Sequence, residues 1–220
     1  MKNKKWLLLL IIALPSFFWL ILETSTIHSY RLNYFGPKIV RGEKDTLFYS
    51  VGKINFSVYN EQRDTLDNFP LDTVPFPFYA IMFVKEEYAK DGYRLAGLNE
   101  YLQYKTDAVK HIPFFLVSMY EGRKPSLEND LKKISHYTNL HFLCLRANEH
   151  DSVNRVYFKQ KPYYVDEGFF VLVDNKRHIR GYYDSRYASE IKRLSDEYKH
   201  IRLKTEKEKM IHQNEIEKHE

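Results

Sequence analysis

The chain has 220 residues, 44% of them hydrophobic and 16% aromatic, with 34 basic against 29 acidic side chains and a formal charge of +5. That length suits one domain with additions, and the interspersed charges form no basic stripe of the kind that tracks phosphates, which excludes a nucleic-acid binder. With one cysteine, Cys144, an intrachain disulfide and a cysteine-based metal cluster are excluded as well.

Lys2, Lys4 and Lys5 precede a charge-free run from Trp6 to Leu22. Seventeen helical residues reach roughly 25 Å, at the lower end of what spans a bilayer. Trp6 and Trp19 sit near its two ends, where indoles favour the interface. The reading is a cytoplasmic 1–5, a single transmembrane anchor at 6–22, and everything beyond it outside the cytoplasm. A cleaved signal peptide is the rival reading, but Glu23-Thr-Ser-Thr-Ile-His offers only a weak cleavage site. Residues 23–44 read as a linker, within which Leu32-Asn33-Tyr34-Phe35-Gly36-Pro37 is a turn closing an aromatic segment.

A domain is expected over 45–202. Asp45–Val51 reads as an edge strand and Lys53–Tyr59 as a half-buried strand, with Asn60–Asp64 as its turn. Pro70, Pro75 and Pro77 predict irregular chain until Phe78. Phe78–Val84 is a continuous apolar run, as a central strand covered on both faces requires. Leu95, Leu98 and Leu102 place a helix over Arg94–Asp107, and Ile112–Met119 reads as another strand. Leu127, Leu131, Ile134 and Tyr137 recur at helical spacing after Pro125-Ser126. Leu140–Leu145 is a third strand, and Phe169–Val173 and His178–Tyr183 form a hairpin around Asp174-Asn175-Lys176. Tyr187, Ile191, Leu194, Tyr198 and Ile201 are the stripe of a closing helix. The mixed-charge 203–220 reads as a frayed helix or a disordered tail. Strands alternating with helices, followed by a hairpin and a helix, predict an α/β domain with a central mixed sheet flanked by helices.

In this arrangement the chain resembles the Sco (SenC) family of membrane-anchored, thioredoxin-like proteins. The likeness is carried by the anchor, by Tyr34-Phe35-Gly36-Pro37 and by Ile54-Asn55-Phe56-Ser57 with Asn60-Glu61-Gln62. Above all it is carried by Leu172-Val173-Asp174 running to Ile179-Arg180-Gly181-Tyr182-Tyr183-Asp184, and it covers residues 30–202. It implies a thioredoxin-like fold and a place in copper delivery to cytochrome oxidase.

The departures fall where such a protein does its chemistry. Family members carry Cys-x-x-x-Cys after the strand equivalent to Phe78–Val84, because two thiolates on one loop can hold Cu(I) or close a disulfide. Here Glu86 and Lys90 stand at those positions, Asp166 aligns with the family's histidine ligand, and Tyr120-Glu121-Gly122 replaces an Asp-Pro loop. Glu86, Glu87, Asp91 and Asp166 can gather on one rim, a set suited to hard cations rather than copper but more simply a solvated acidic loop in which Lys90 pairs with Asp166.

Cys144, inside Phe142-Leu143-Cys144-Leu145, reads as a small buried hydrophobe. The nine histidines are scattered at 28, 111, 136, 141, 150, 178, 200, 212 and 219 with no His-x-x-x-His pair; His141 and His150 are the two expected to approach one another, at the sheet's end. No catalytic, metal or cofactor residue is therefore assigned. The expectation is a tethered binding or assembly module whose partners are the membrane, through residues 6–22, and another extracytoplasmic or membrane protein. The alternative is a copper metallochaperone with a non-standard ligand set.

Overall fold

The structure is a computed structural model. It describes residues 14, 15, 17, 32–41, 45–71, 76, 78–85, 93–122, 139–159 and 168–217. The chain divides into two units, Met1–Arg31 and Leu32–Glu220. In the first, Leu14, Pro15 and Phe17 are helical; most of the expected anchor lies outside the described residues. Among those described, no helix is long and apolar enough to cross a membrane.

The second unit opens on a two-stranded antiparallel ribbon, β1 (Lys38–Arg41) and β2 (Asp45–Phe48). A seven-stranded sheet follows: β3 (Phe56–Asn60), β4 (Thr65–Phe69), β5 (Phe78–Val84), β6 (Phe114–Tyr120), β7 (Leu140–Arg146), β8 (Phe169–Asp174) and β9 (Ile179–Asp184). Their spatial order is β4-β3-β7-β6-β5-β8-β9. The central β7, β6 and β5 are parallel, with Ala80 opposite Phe114 and Phe114 opposite Leu140. The hairpins β3–β4 and β8–β9 close the two sides antiparallel. Parallel centre and antiparallel final hairpin are the thioredoxin-like α/β arrangement.

Each central strand feeds two cores, which is why its sequence is apolar without alternation. Ala80, Met82 and Val84 of β5, Phe114 and Leu116 of β6, and Phe170 and Leu172 of β8 share one core. Their neighbours Ile81, Phe83, Phe115, Val117, Val171 and Val173 point into the other. The first core is covered by α1 (Ala96–Tyr104) and by the closing helix α4 (Ala188–Glu217), through Leu98, Leu102, Ile191, Leu194, Tyr198 and Ile201. The second is covered by α3 (Ala147–Tyr157) and by Val51 and Phe56 of the amino-terminal segments.

Four elements differ from the sequence expectation. The helix expected over Arg94–Asp107 is a 3-10 turn at Tyr93–Leu95, α1, and a separate α2 (Thr106–Val109). The break at Lys105 lets Val109 and Ile112 enter the core, and the buried Ser195 hydroxyl of α4 donates to the Ala108 carbonyl at 2.9 Å. β4 occupies a stretch read as irregular. Its acid- and amide-containing Thr-Leu-Asp-Asn-Phe has little β propensity, but it pairs with β3 across an Asx turn in which Asn60 Oδ1 accepts from Gln62 N and Arg63 N. α3 had no apolar signature because the positions it buries are His150, Asn154 and Tyr157. Finally, α4 does not fray at residue 203 but continues to Glu217, with Arg202–Glu206 and Lys204–Glu208 as ion pairs one turn apart. The helix expected around Leu127–Tyr137 lies outside the described residues.

Candidate functional site

The loops that would hold the family's ligands leave the carboxyl end of β5 and enter the amino end of β8. Glu86, Lys90 and Asp166 themselves lie outside the described residues, as do Glu87 and Asp91. What the structure shows is how the two loops are anchored. Ser185, fully buried just beyond β9, places its hydroxyl between the carbonyls of Arg94 and Gly168. Gly168 O, 2.7 Å from that hydroxyl, already accepts the Ser185 N–H at 3.0 Å, so the one hydroxyl proton is best used on Arg94 O. The Ser185 carbonyl in turn accepts from Leu98 N at 3.1 Å. One residue, through its hydroxyl and its backbone, therefore ties the chain that follows each loop to the start of α1.

Gly168 is in the left-handed region at φ +77°, and a Cβ there would stand 3.1 Å from Met82 Cε and 3.2 Å from Ser185 Oγ. Only glycine accepts both the backbone angle and the space.

His150 stands in the first turn of α3, also at the carboxyl end of the parallel strands. It is 2% exposed, its ring meets Phe83 edge to face at 5.7 Å between centroids, and Nε2 has no hydrogen-bond partner among the described residues. Asp151 Oδ1 is 3.6 Å from its Nδ1, too long for a hydrogen bond. His141 lies at the other end of β7, stacked on Phe115 at 5.0 Å with Nε2 3.1 Å from Asn139 Oδ1. Burial pushes its pKa below the ordinary histidine value. The expected approach of His141 to His150 is therefore not found, because a whole strand separates them.

Cys144 is buried at mid-strand, 4% exposed, opposite Ser57 of β3. Its sulfur lies 3.7 Å from Ser118 Oγ, which itself donates to Leu143 O at 3.3 Å. Among the described residues no group of three or more His, Cys, Asp or Glu side chains can hold a metal ion. The one thiol of the chain is enclosed in the sheet, and the aligned positions carry Glu, Lys and Asp.

The part of the sequence that most resembles the family turns out to be architectural. Asp174, 4% exposed, accepts from Lys176 N and His178 N at 2.9 Å each through Oδ1. Through Oδ2 it accepts from Arg180 Nη1 at 3.0 Å and lies 3.3 Å from His178 Nδ1. Arg180 Nη2 donates to Leu32 O at 2.9 Å, and the guanidinium stacks 4.0 Å above the Tyr34 ring. Tyr182 donates to Tyr157 O at 2.9 Å and Tyr183 to Glu197 Oε2 at 2.5 Å. Burial, then the Glu197 charge, push the Tyr183 phenol far above its usual pKa, so it stays a donor. Gly181 leaves room for that ring, since a Cβ there would fall 2.3 Å from the Tyr183 hydroxyl. Asp184 caps the next turn through Arg186 N at 3.0 Å and pairs with the Arg186 guanidinium. Sequence reasoning found this hairpin but missed Ser185 directly after it, which only its following a terminal Asp could have marked.

The class these features define is a thioredoxin-like α/β domain. No protein-family model matches the sequence, and no curated protein matches it. Among solved structures the chain is similar to BsSco, a member of the Sco family of cytochrome c oxidase assembly proteins, at 16% identity over 67% of this chain and 92% of that one, with a TM-score of 0.47. It is similar to the thioredoxin domain of a thiol-disulfide oxidoreductase from Bacteroides vulgatus at 14% identity over 67% and 96% of the two chains, TM-score 0.41. It is also similar to copper-bound yeast Sco1 at 17% identity over 67% and 93%, TM-score 0.38.

Proposed function

We propose that the chain is a Sco-like, membrane-tethered domain that works by binding and assembly, not by thiol redox chemistry or copper transfer. The observation that carries this reading is the place of Cys144. It is the one cysteine of the chain and is buried on β7, in register through Ser118 with Val84 at the end of β5, with its sulfur enclosed in the sheet. Disulfide exchange needs two thiols or an exposed thiolate, and Cu(I) needs soft donors on one loop. Glu86, Lys90 and Asp166 supply neither.

The tether is residues 6–22, with the basic 1–5 in the cytoplasm and the domain on the periplasmic face of the inner membrane, as the charge ahead of the span favours. Its partner is another extracytoplasmic or membrane protein.

The test is competition of the full chain against a Cu(I) chelator, beside an unrelated protein of similar charge. Equal, weak retention of copper is the expected result. Tight binding by the wild type would overturn the reading in favour of a metallochaperone with non-standard ligands.

A further inference from the structure

A cleft of about 410 Å³ opens at the end of the sheet opposite the Lys85 loop. It is built where three elements begin. Phe78 is the first residue of β5, Asn139 directly precedes β7, and Lys110 and His111 lie in the turn before β6. α4 closes the fourth side with Tyr198, Arg202, Thr205, Glu206 and Lys209. The size is that of a small-molecule site.

Its walls and rim differ in character. Phe78 and Tyr198, each 3% exposed, meet edge to face at 6.3 Å, and Phe76 adds a third ring. Three permanent cations, Lys110, Arg202 and Lys209, stand around them with His111. Two carboxylates oppose these. Glu206 is paired with Arg202 at 3.2 Å, and Asp107, on the open surface, takes Lys110 at 3.1 Å. Lys209 makes no ion pair with any described residue, and the Tyr198 hydroxyl hydrogen-bonds to none of them. Burial raises the Tyr198 pKa, so the phenol remains a proton donor near neutral pH. An apolar group meets the half-buried Phe76 ring and the edges of Phe78 and Tyr198 here, and a negative head gains Lys209 and the phenol without displacing an existing partner.

We propose that this cleft binds a small amphipathic anion, its apolar body against Phe76 and the exposed edges of Phe78 and Tyr198 and its acidic head at Lys209 and the Tyr198 hydroxyl, with Lys110 on the rim. The site is independent of copper, since none of these residues belongs to the loops at 85–92 and 160–167. Its failure or success therefore leaves the reading of those loops untouched.

The test is calorimetric titration of the full chain with 2-naphthoate, with the neutral isostere 2-naphthamide, and with 2-naphthyl phosphate. The wild type is expected to take one 2-naphthoate per chain and to bind 2-naphthamide about tenfold more weakly or worse. Reversing both exposed lysines, Lys110→Glu with Lys209→Glu, should weaken 2-naphthoate about tenfold while the melting temperature and circular dichroism stay as in the wild type. The tighter of the carboxylate and the phosphate identifies the natural head group, and either order supports the site. No heat with any of the three, equal binding of acid and amide, or unchanged binding by the folded double variant would each overturn it.

Discussion

Asp174 and Arg180 form a buried ion pair, Nη1 to Oδ2 at 3.0 Å, whose arginine also holds the Leu32 carbonyl and the face of Tyr34. The pair thus joins the segment that leads into the domain to its last hairpin. Asp174→Ala would leave Arg180, 13% exposed, without its carboxylate and two backbone amides without their acceptor. Breaking one side of such a pair costs ~3–5 kcal/mol. Urea unfolding should show that loss for Asp174→Ala and a smaller one for Asp174→Asn, which keeps an acceptor for the amides. Equal stability of Asp174→Ala and wild type would contradict this role.

Ser185→Ala removes the hydroxyl that serves Arg94 O and leaves that carbonyl without it. The expected loss is ~1–3 kcal/mol. Gly168→Ala should cost a similar ~1–3 kcal/mol through strain at φ +77° and crowding against Met82. In both variants amide exchange should rise first at Leu98, whose N–H is bound to Ser185 O. Uniform acceleration across α4 instead would show that Ser185 anchors no particular loop.

Cys144 should be inert to thiol reagents in the folded chain and react only on unfolding, because its sulfur lies within the sheet against Ser118. Cys144→Ser should keep the fold at the low end of ~1–3 kcal/mol, since Ser118 offers the new hydroxyl a partner. Fast modification under native conditions would revive a chemical role for this thiol.

His141 contributes a pH dependence with a definite sign. Its folded pKa is depressed, so between that value and about 6.5, the unfolded value, the unfolded chain binds more protons. Stability from this group is complete above about pH 6.5 and falls as the pH drops below it. Denaturant midpoints measured from about pH 5 to 8 should show the slope, and His141→Gln should flatten it. An unchanged slope in the variant would assign the effect to another group.

The fold was legible where burial and pattern agree. Phe78–Val84 is apolar on both faces because each face meets a core, and the structure returns those limits unchanged. Ile191, Leu194, Tyr198 and Ile201 marked α4 for the same reason. α3 was illegible because it buries His150 and Asn154, which no apolar period reveals. β4 was hidden because its stability comes from pairing and the Asn60 turn rather than from its own residues. At the candidate site, residues 86, 90 and 166 lie outside the described residues, so the sequence reading of them stands as an expectation. The Ser185 anchor and the cleft beside Tyr198 were not legible, since each assembles residues from distant segments that carry no shared motif.

The last prediction concerns the vacated ligand positions. Thiolates hold Cu(I) because soft donors match a soft ion, a match that carboxylate and ammonium groups do not make. Aligned with a ligand position, Lys90 would put a positive charge where a cation has to sit. Glu86→Cys with Lys90→Cys and Asp166→His removes that charge and supplies two thiols and an imidazole. Because Ser185 fixes the chain after each loop, through Arg94 and Gly168, the framework for these positions is present in the wild type. The triple variant should compete with a Cu(I) chelator that strips the wild type, and its copper should be lost when Glu86→Cys alone is reverted. Adding the three residues without gaining copper, in a chain whose unfolding midpoint is unchanged, would overturn the alignment of 86, 90 and 166 with the family's ligands.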